Sequence, residues 1–207
     1  IIEGILFEVK HGNIIKALLV FDKILTETNV KSSVFVDLVD TMRKRGYLNM
    51  ALKYAQDGVK RFPNMPNNWI SLLQLQSSKL DVQNILTKYQ KHLSVNSISK
   101  IEQTASFLFA KNNSIKECRN LLSECIAKSA PDQRWRLYYN AAIIEMNYGA
   151  SSIIPRLLQS ADAITPSRSK SFIRLSIAKI SEVNNKINKA LEVYDSLSKS
   201  VNNDWRT

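Results

Sequence analysis

The chain has 207 residues, 44% of them apolar, and 29 Lys and Arg against 18 Asp and Glu give a formal net charge of +11. That apolar fraction is enough for a core and excludes a disordered polyelectrolyte. Five glycines and five prolines are too few for the many turns of an all-β protein, and no run of about eighteen apolar residues marks a membrane-spanning helix. The positive charge implies either attraction to polyanions, nucleic acid above all, or lysine-rich solvated helix faces.

In chain order, a helix from Ile1 to about Lys10 closes at His11-Gly12-Asn13, and a second follows through Ala17 and Phe21. Ser32 or Ser33 is placed to cap a helix that runs to Arg45 and stops at Gly46. Ala51, Leu52, Ala55, Gly58, Val59 and Phe62 then share one helix face, and the small Ala55 and Gly58 would let a neighbouring helix approach closely. Pro63 and Pro66 end that helix. Asn67 and Asn68 are positioned to cap the next, headed by Trp69 and running to about Lys79. Asp81 opens its mate. A helix from about Ile98 to Lys111 ends at Asn112-Asn113-Ser114. Cys118 and Cys125 lie seven residues apart in an apolar row with Leu121 and Leu122, a packing pattern that suits a reducing compartment. After Pro131-Asp132 a helix carries Trp135, Tyr138, Ile143 and Met146 to Gly149. Another begins near Ser152, with Pro155 tolerated in its first turn. A helix from Ser167 to about Val183 stops at Asn184-Asn185, and the last long one contains Ala190. Trp205 heads what reads as a thirteenth, cut short at Thr207, so a longer parent chain is expected.

Six segments align on a small or aliphatic anchor followed by an apolar pair three and four residues on. The anchors are Ala17, Ala51, Val82, Cys118, Ile154 and Ala190, separated by 34, 31, 36, 36 and 36 residues. Trp69, Trp135 and Trp205, 66 and 70 residues apart, repeat at twice that period. A near-constant period of this size signals stacked helix pairs. The expected fold is an all-α, right-handed α-α superhelix of about six helix pairs, one array spanning residues 1–207.

Trp69 and Trp135 lack the glycine that tetratricopeptide (TPR) repeats place after the tryptophan position. Ala190-Leu-Glu-Val193-Tyr194-Asp195-Ser-Leu197 and Ala17 to Leu25 instead resemble the second helix of HAT (half-a-TPR) repeats, and Trp135 with Tyr138 resembles the first. Gln76, Ala142, Gln56, Thr87, Ser123 and Gln159 depart from the acidic positions of that pattern. The spacing of Ala51, Leu52, Ala55, Gly58, Phe62 and Trp69 is similar to that in HAT-repeat subunits of the UtpB module of the small-subunit processome. The resemblance implies a nucleolar, non-catalytic scaffold of pre-ribosomal RNA processing, partnered by proteins of a large ribonucleoprotein. HAT factors of pre-mRNA splicing or 3′-end processing, and organellar RNA-binding repeat proteins, remain alternatives. The last would need one polar pair recurring in successive repeats, and the aligned columns hold none.

No phosphate loop, dinucleotide fingerprint, H-E-x-x-H or C-x-x-C occurs, so neither catalysis nor a cofactor is expected. His11 and His92 stand far apart without partners at ligand spacing. Asp37 and Asp40 share a helix with basic Arg43, Lys44 and Arg45, an arrangement that suits the helix dipole. The candidate RNA-phosphate contacts are Arg43, Lys44, Arg45, Lys60, Arg61, Arg134, Arg136, Arg168, Lys170 and Arg174, with Lys53, Lys88 and Lys91 beside them. Tyr138 reads as packing rather than as a base-stacking platform.

Overall fold

The computed structural model describes residues 2–27, 29–89, 92–93, 95–183 and 185–204. Twelve α-helices and no strand lie among them, so the all-α repeat class read from the sequence is the class found. Trp205, Lys91 and Asn184 fall outside the described residues, and with Trp205 the proposed thirteenth helix.

The helices are α1 Ile2–His11, α2 Ile14–Glu27, α3 Ser32–Lys44, α4 Leu48–Arg61, α5 Pro66–Gln74 and α6 Lys79–Lys88. They continue with α7 Val95–Lys111, α8 Ile115–Lys128, α9 Arg134–Tyr148, α10 Ile154–Ile164, α11 Ser167–Val183 and α12 Ile187–Asp204. The chain divides into two compact units, Ile1–Ser114 and Ile115–Thr207.

In the first unit each leading helix packs on its own mate and on the next leading helix. Thus α1 meets α2 and α3, α3 meets α4 and α5, and α5 meets α6 and α7. In the second, α8 packs on α9, α9 on α10, α10 on α11 and α11 on α12. This nearest-neighbour pattern is that of helix pairs which cannot bury their apolar faces singly. All six anchors are buried, none more than 4% exposed. Both cysteines are buried and no disulfide joins them, as packing residues should be.

One member of the pattern departs. Val20, three residues after Ala17, is 49% exposed, whereas its counterpart Tyr54 is buried. The three-residue step turns the side chain about 60° from the anchor. In α4 that direction faces α2, where the Tyr54 hydroxyl donates to Asp22 Oδ1 at 2.6 Å. Val20 sits on α2, the first of the second helices, and has no such neighbour.

The close approach expected at Gly58 is present. A Cβ there would stand 3.2 Å from Phe35 Cβ, and Phe35 is itself held edge-on between Phe21 and Phe62, with ring centroids 5.7 and 5.9 Å away. At Gly46, φ is +82°, and Gly46 N–H donates to Arg43 O while Tyr47 N–H donates to Met42 O. That left-handed turn ends α3. Asn113 and Asn185, at φ 57° and 59°, end α7 and α11 with the same pair of bonds.

Several local boundaries differ from the sequence reading. Neither Ser32 nor Ser33 caps α3, whose capping position is Lys31, and the Ser32 hydroxyl accepts a hydrogen bond from Asn68 instead. Asn68 is not a cap either. Pro66 opens the helix, and buried Asn68 Nδ2 donates to Gly58 O and Ser32 Oγ, both at 3.1 Å. It thereby adds a second bond to the Gly58 carbonyl, which already accepts from Phe62 N–H at 2.9 Å at the end of α4. α5 stops at Gln74, before Lys79, because Gln76 folds back to donate to Leu72 O. Ser78 then caps α6, accepting from Asp81 N–H at 3.2 Å and donating to the Asp81 carboxylate.

Gly58→Val should therefore lower stability by about 2 kcal/mol through overpacking against Phe35. Gly4→Ala, where a Cβ meets nothing within 4 Å, should raise it by up to about 1 kcal/mol through helix propensity. Urea midpoints of the two variants against the parent check both signs.

Candidate functional site

Antiparallel pairing separates the basic residues that the sequence places in one repeat. Arg43, Lys44 and Arg45 end α3, whereas Lys60 and Arg61 end α4, so the two groups lie at opposite ends of the same helix pair. Arg43 and Lys44 both reach Asp40, and Lys44, then Arg43, hold its carboxyl below the ordinary value. Arg45 donates to Val9 O at 2.8 Å and Gly12 O at 3.3 Å, tying the end of α3 to the end of α1. Arg61 is exposed, with Leu25 O at 3.5 Å.

In the second unit, Arg134 Nε donates to Ser129 O at 3.0 Å, and Arg136 lies over the Trp135 ring. Arg174 stands 3.5 Å from Asp162. Lys170 is half-buried on α11, and the Arg168 side chain is outside the described residues. Tyr138 and Tyr139 pack on the Trp135, Ala161 and Ile173 cluster, so Tyr138 is a core contact, as its spacing suggested.

The first unit does gather cations at one edge, in a place that single-helix spacing does not disclose. A cleft of about 620 Å³ is lined by Val59, Lys60, Pro63, Trp69, Thr87, Lys88 and His92. Here the ends of α4 and α6 flank the start of α5. Trp69 is buried, its indole Nε1–H donating to Pro63 O at 2.7 Å. The His92 ring lies nearly parallel to it, 17° between planes and 6.2 Å between centroids. Lys60 and Lys88 occupy the last turns of their helices, where cations complement the dipole, with Lys88 and His92 exposed. The sequence reading had weighed His92 only as a metal ligand. The repeat sets the ends of successive second helices beside one another, but its register does not mark this pair, because Lys60 lies nine residues past Ala51 and Lys88 six past Val82.

The strongest polar interaction of the second unit is structural. Arg119 of α8 grips Glu145 of α9 through two hydrogen bonds, Nε to Oε1 at 2.7 Å and Nη2 to Oε2 at 2.8 Å. Glu145 is only 4% exposed, and Oε2 also accepts from Ala150 N–H at 2.9 Å. Arg119, and secondarily that amide, hold the Glu145 carboxyl below its ordinary value against the opposing effect of burial. Burial pushes the neighbouring Cys118 thiol up to about 11, so it stays protonated and unreactive near neutrality. Among the described residues, no group of three His, Cys, Asp or Glu is placed to hold a metal ion, and no helix is long and apolar enough to cross a membrane.

These features define an all-α helical-repeat protein built from packed helix pairs. No family model and no curated protein matches the chain. Among solved structures it is similar to the MamA RS-1 ArsTM double mutant, at 14% identity over 85% of this chain and 97% of that one, with a TM-score of 0.49. It is similar to MamA from residue 41 to its end, from Desulfovibrio magneticus RS-1, at 14% identity over 83% and 95% of the two chains, TM-score 0.49. A third is YrrB, described as a TPR protein with an unusual peptide-binding site, at 11% identity over 86% and 90%, TM-score 0.45.

Replacing Arg119 with Ala should cost about 2 kcal/mol, because the buried Glu145 carboxylate loses its main partner. Since the folded-state value of Glu145 lies below the ordinary one near 4.5, its contribution is full above that pH. It is lost as pH falls through and below it. Urea midpoints followed by Trp135 fluorescence should fall on acidification more steeply in the parent than in the Glu145→Gln variant.

Proposed function

We infer that this chain is a non-catalytic scaffold that holds neighbouring proteins in the small-subunit processome during pre-ribosomal RNA processing. The observation that carries the protein-partner reading is the amount of large apolar side chain left in water: Phe7 at 62% exposed, Leu19 at 67%, Val183 at 86% and Leu191 at 59%. In this reading these side chains are where partner proteins meet the array. Leu18, one residue past the Ala17 anchor, is buried, whereas Leu191, at the same register after Ala190, is open. The assignment to ribosome biogenesis, and with it a nucleolar location, rests on the HAT-like spacing from Ala51 to Trp69. In this reading residues 1–207 form one continuous array.

RNA contact is supplementary. Arg43, Lys44, Lys60, Arg61, Arg134, Arg136, Arg168, Lys170 and Arg174 are its candidates, acting on phosphates without reading sequence. Arg45 joins them only through whatever reach its bonds to Val9 and Gly12 leave.

Affinity purification of the tagged full-length protein tests the assignment. Co-purification of small-subunit pre-ribosomal proteins is expected, and recovery of splicing or 3′-end-processing factors in their place would overturn it. RNA binding should be weak, with a shallow dependence of affinity on salt. A steep slope would instead mark an RNA reader.

A further inference from the structure

The cleft between the ends of α4 and α6 carries an inference that rests on the protein-scaffold reading and names the chemistry of one partner. Its floor is apolar and fixed, because Trp69 is buried and its N–H is already given to Pro63 O. Val59 and Pro63 continue that floor, and the ring of His92 walls one side. Its rim is cationic. Lys60 and Lys88 stand at the ends of two different helices. Lys60 reaches its own-helix neighbour Asp57 only at 3.8 Å, with its side chain 75% exposed. So loose a surface pair costs little to exchange for another carboxylate.

We propose that this cleft docks an acidic segment of a partner protein. One apolar side chain sits against Trp69, Val59 and Pro63, and flanking Asp or Glu carboxylates reach Lys60 and Lys88. The volume of about 620 Å³ suits a few side chains and a short backbone stretch. The charge arrangement decides the sign of the partner: two lysines face the space, and among the described residues no carboxylate lines it. The aromatic arrangement decides its class. A single-stranded nucleic acid needs open ring faces on which successive bases stack. Trp69 is only 4% exposed, so it offers an apolar surface to insert against rather than a platform.

Selection of a phage-displayed random-peptide library on the immobilised full chain tests this, with the double variant Lys60→Glu, Lys88→Glu as counter-target. Both lysines are exposed, so their replacement leaves the core intact. Enriched peptides should carry an apolar residue flanked by Asp or Glu. A synthetic peptide of the leading sequence should shift the Trp69 indole N–H resonance and bind the double variant about tenfold more weakly. It should bind a Lys16→Glu control, exposed on α2, unchanged. Enriched peptides without acidic residues, or binding indifferent to the double variant, would overturn the proposal. So would oligouridylate that displaces the peptide and moves the same resonance at lower concentration. Such a failure alongside intact co-purification of pre-ribosomal proteins removes the cleft and leaves the scaffold reading. Success without that co-purification removes the cellular assignment and leaves the cleft.

Discussion

Each helix of this chain carries more apolar surface than it can hide alone, and the small residues set into the second helices are what let a partner come near enough to help. The contact of Phe35 with Gly58 is the clearest case. The ring lies against backbone, where a Cβ would stand 3.2 Å from Phe35 Cβ and a branched side chain would crowd the ring. Phe21, Phe35 and Phe62 then interlock edge to face, and Tyr54 meets Phe21 in the same manner at 5.7 Å. Aromatic pairs in this geometry add about 1 kcal/mol each beyond their buried area. They also explain how Tyr54 and Asp22 can be so close. Burial, then the hydrogen bond to Asp22, pushes the tyrosine hydroxyl far up, so it remains a donor.

The polar bonds do a different job: they fasten the turns. Arg45 reaches across to the carbonyls that end α1, Asn68 covers the end of α4, and Glu145 receives the amide that follows its own helix. Glu8 does the last of these at the first turn, accepting from Asn13 N–H at 3.3 Å. Past the end of a helix the regular ladder of backbone bonds stops, and side chains of the same helix or of a neighbour bond the backbone there.

Much of the fold was legible because the repeat is written in side-chain size. Ala17, Ala51 and Ala190 can be found by counting, and so can the left-handed turns at Gly46, Asn113 and Asn185. What could not be counted was pairing between elements. Asn67-Asn68 before a tryptophan looks like a cap, and only the third dimension reveals that Asn68 faces inward to Ser32 and Gly58. The candidate site follows the same rule. Arg43 to Arg45 and Lys60-Arg61 look like one cluster along the chain, yet a helix of fourteen residues carries its end about 20 Å from its start. Conversely, Lys60, Trp69, Lys88 and His92 are scattered in sequence and meet around one cleft.

Nearest-neighbour packing also governs how the molecule comes apart. In the first unit a helix is held by the elements next to it and by the leading helix two places along, and in the second chiefly by its immediate neighbours. Loosening one pair therefore removes support from its immediate neighbours alone, and opening spreads along the chain by steps. Trp69 and Trp135 stand in different units, so light emitted by one can change while the other stays silent. A melting curve for this protein is then a sequence of local events, and its apparent steepness depends on where one looks.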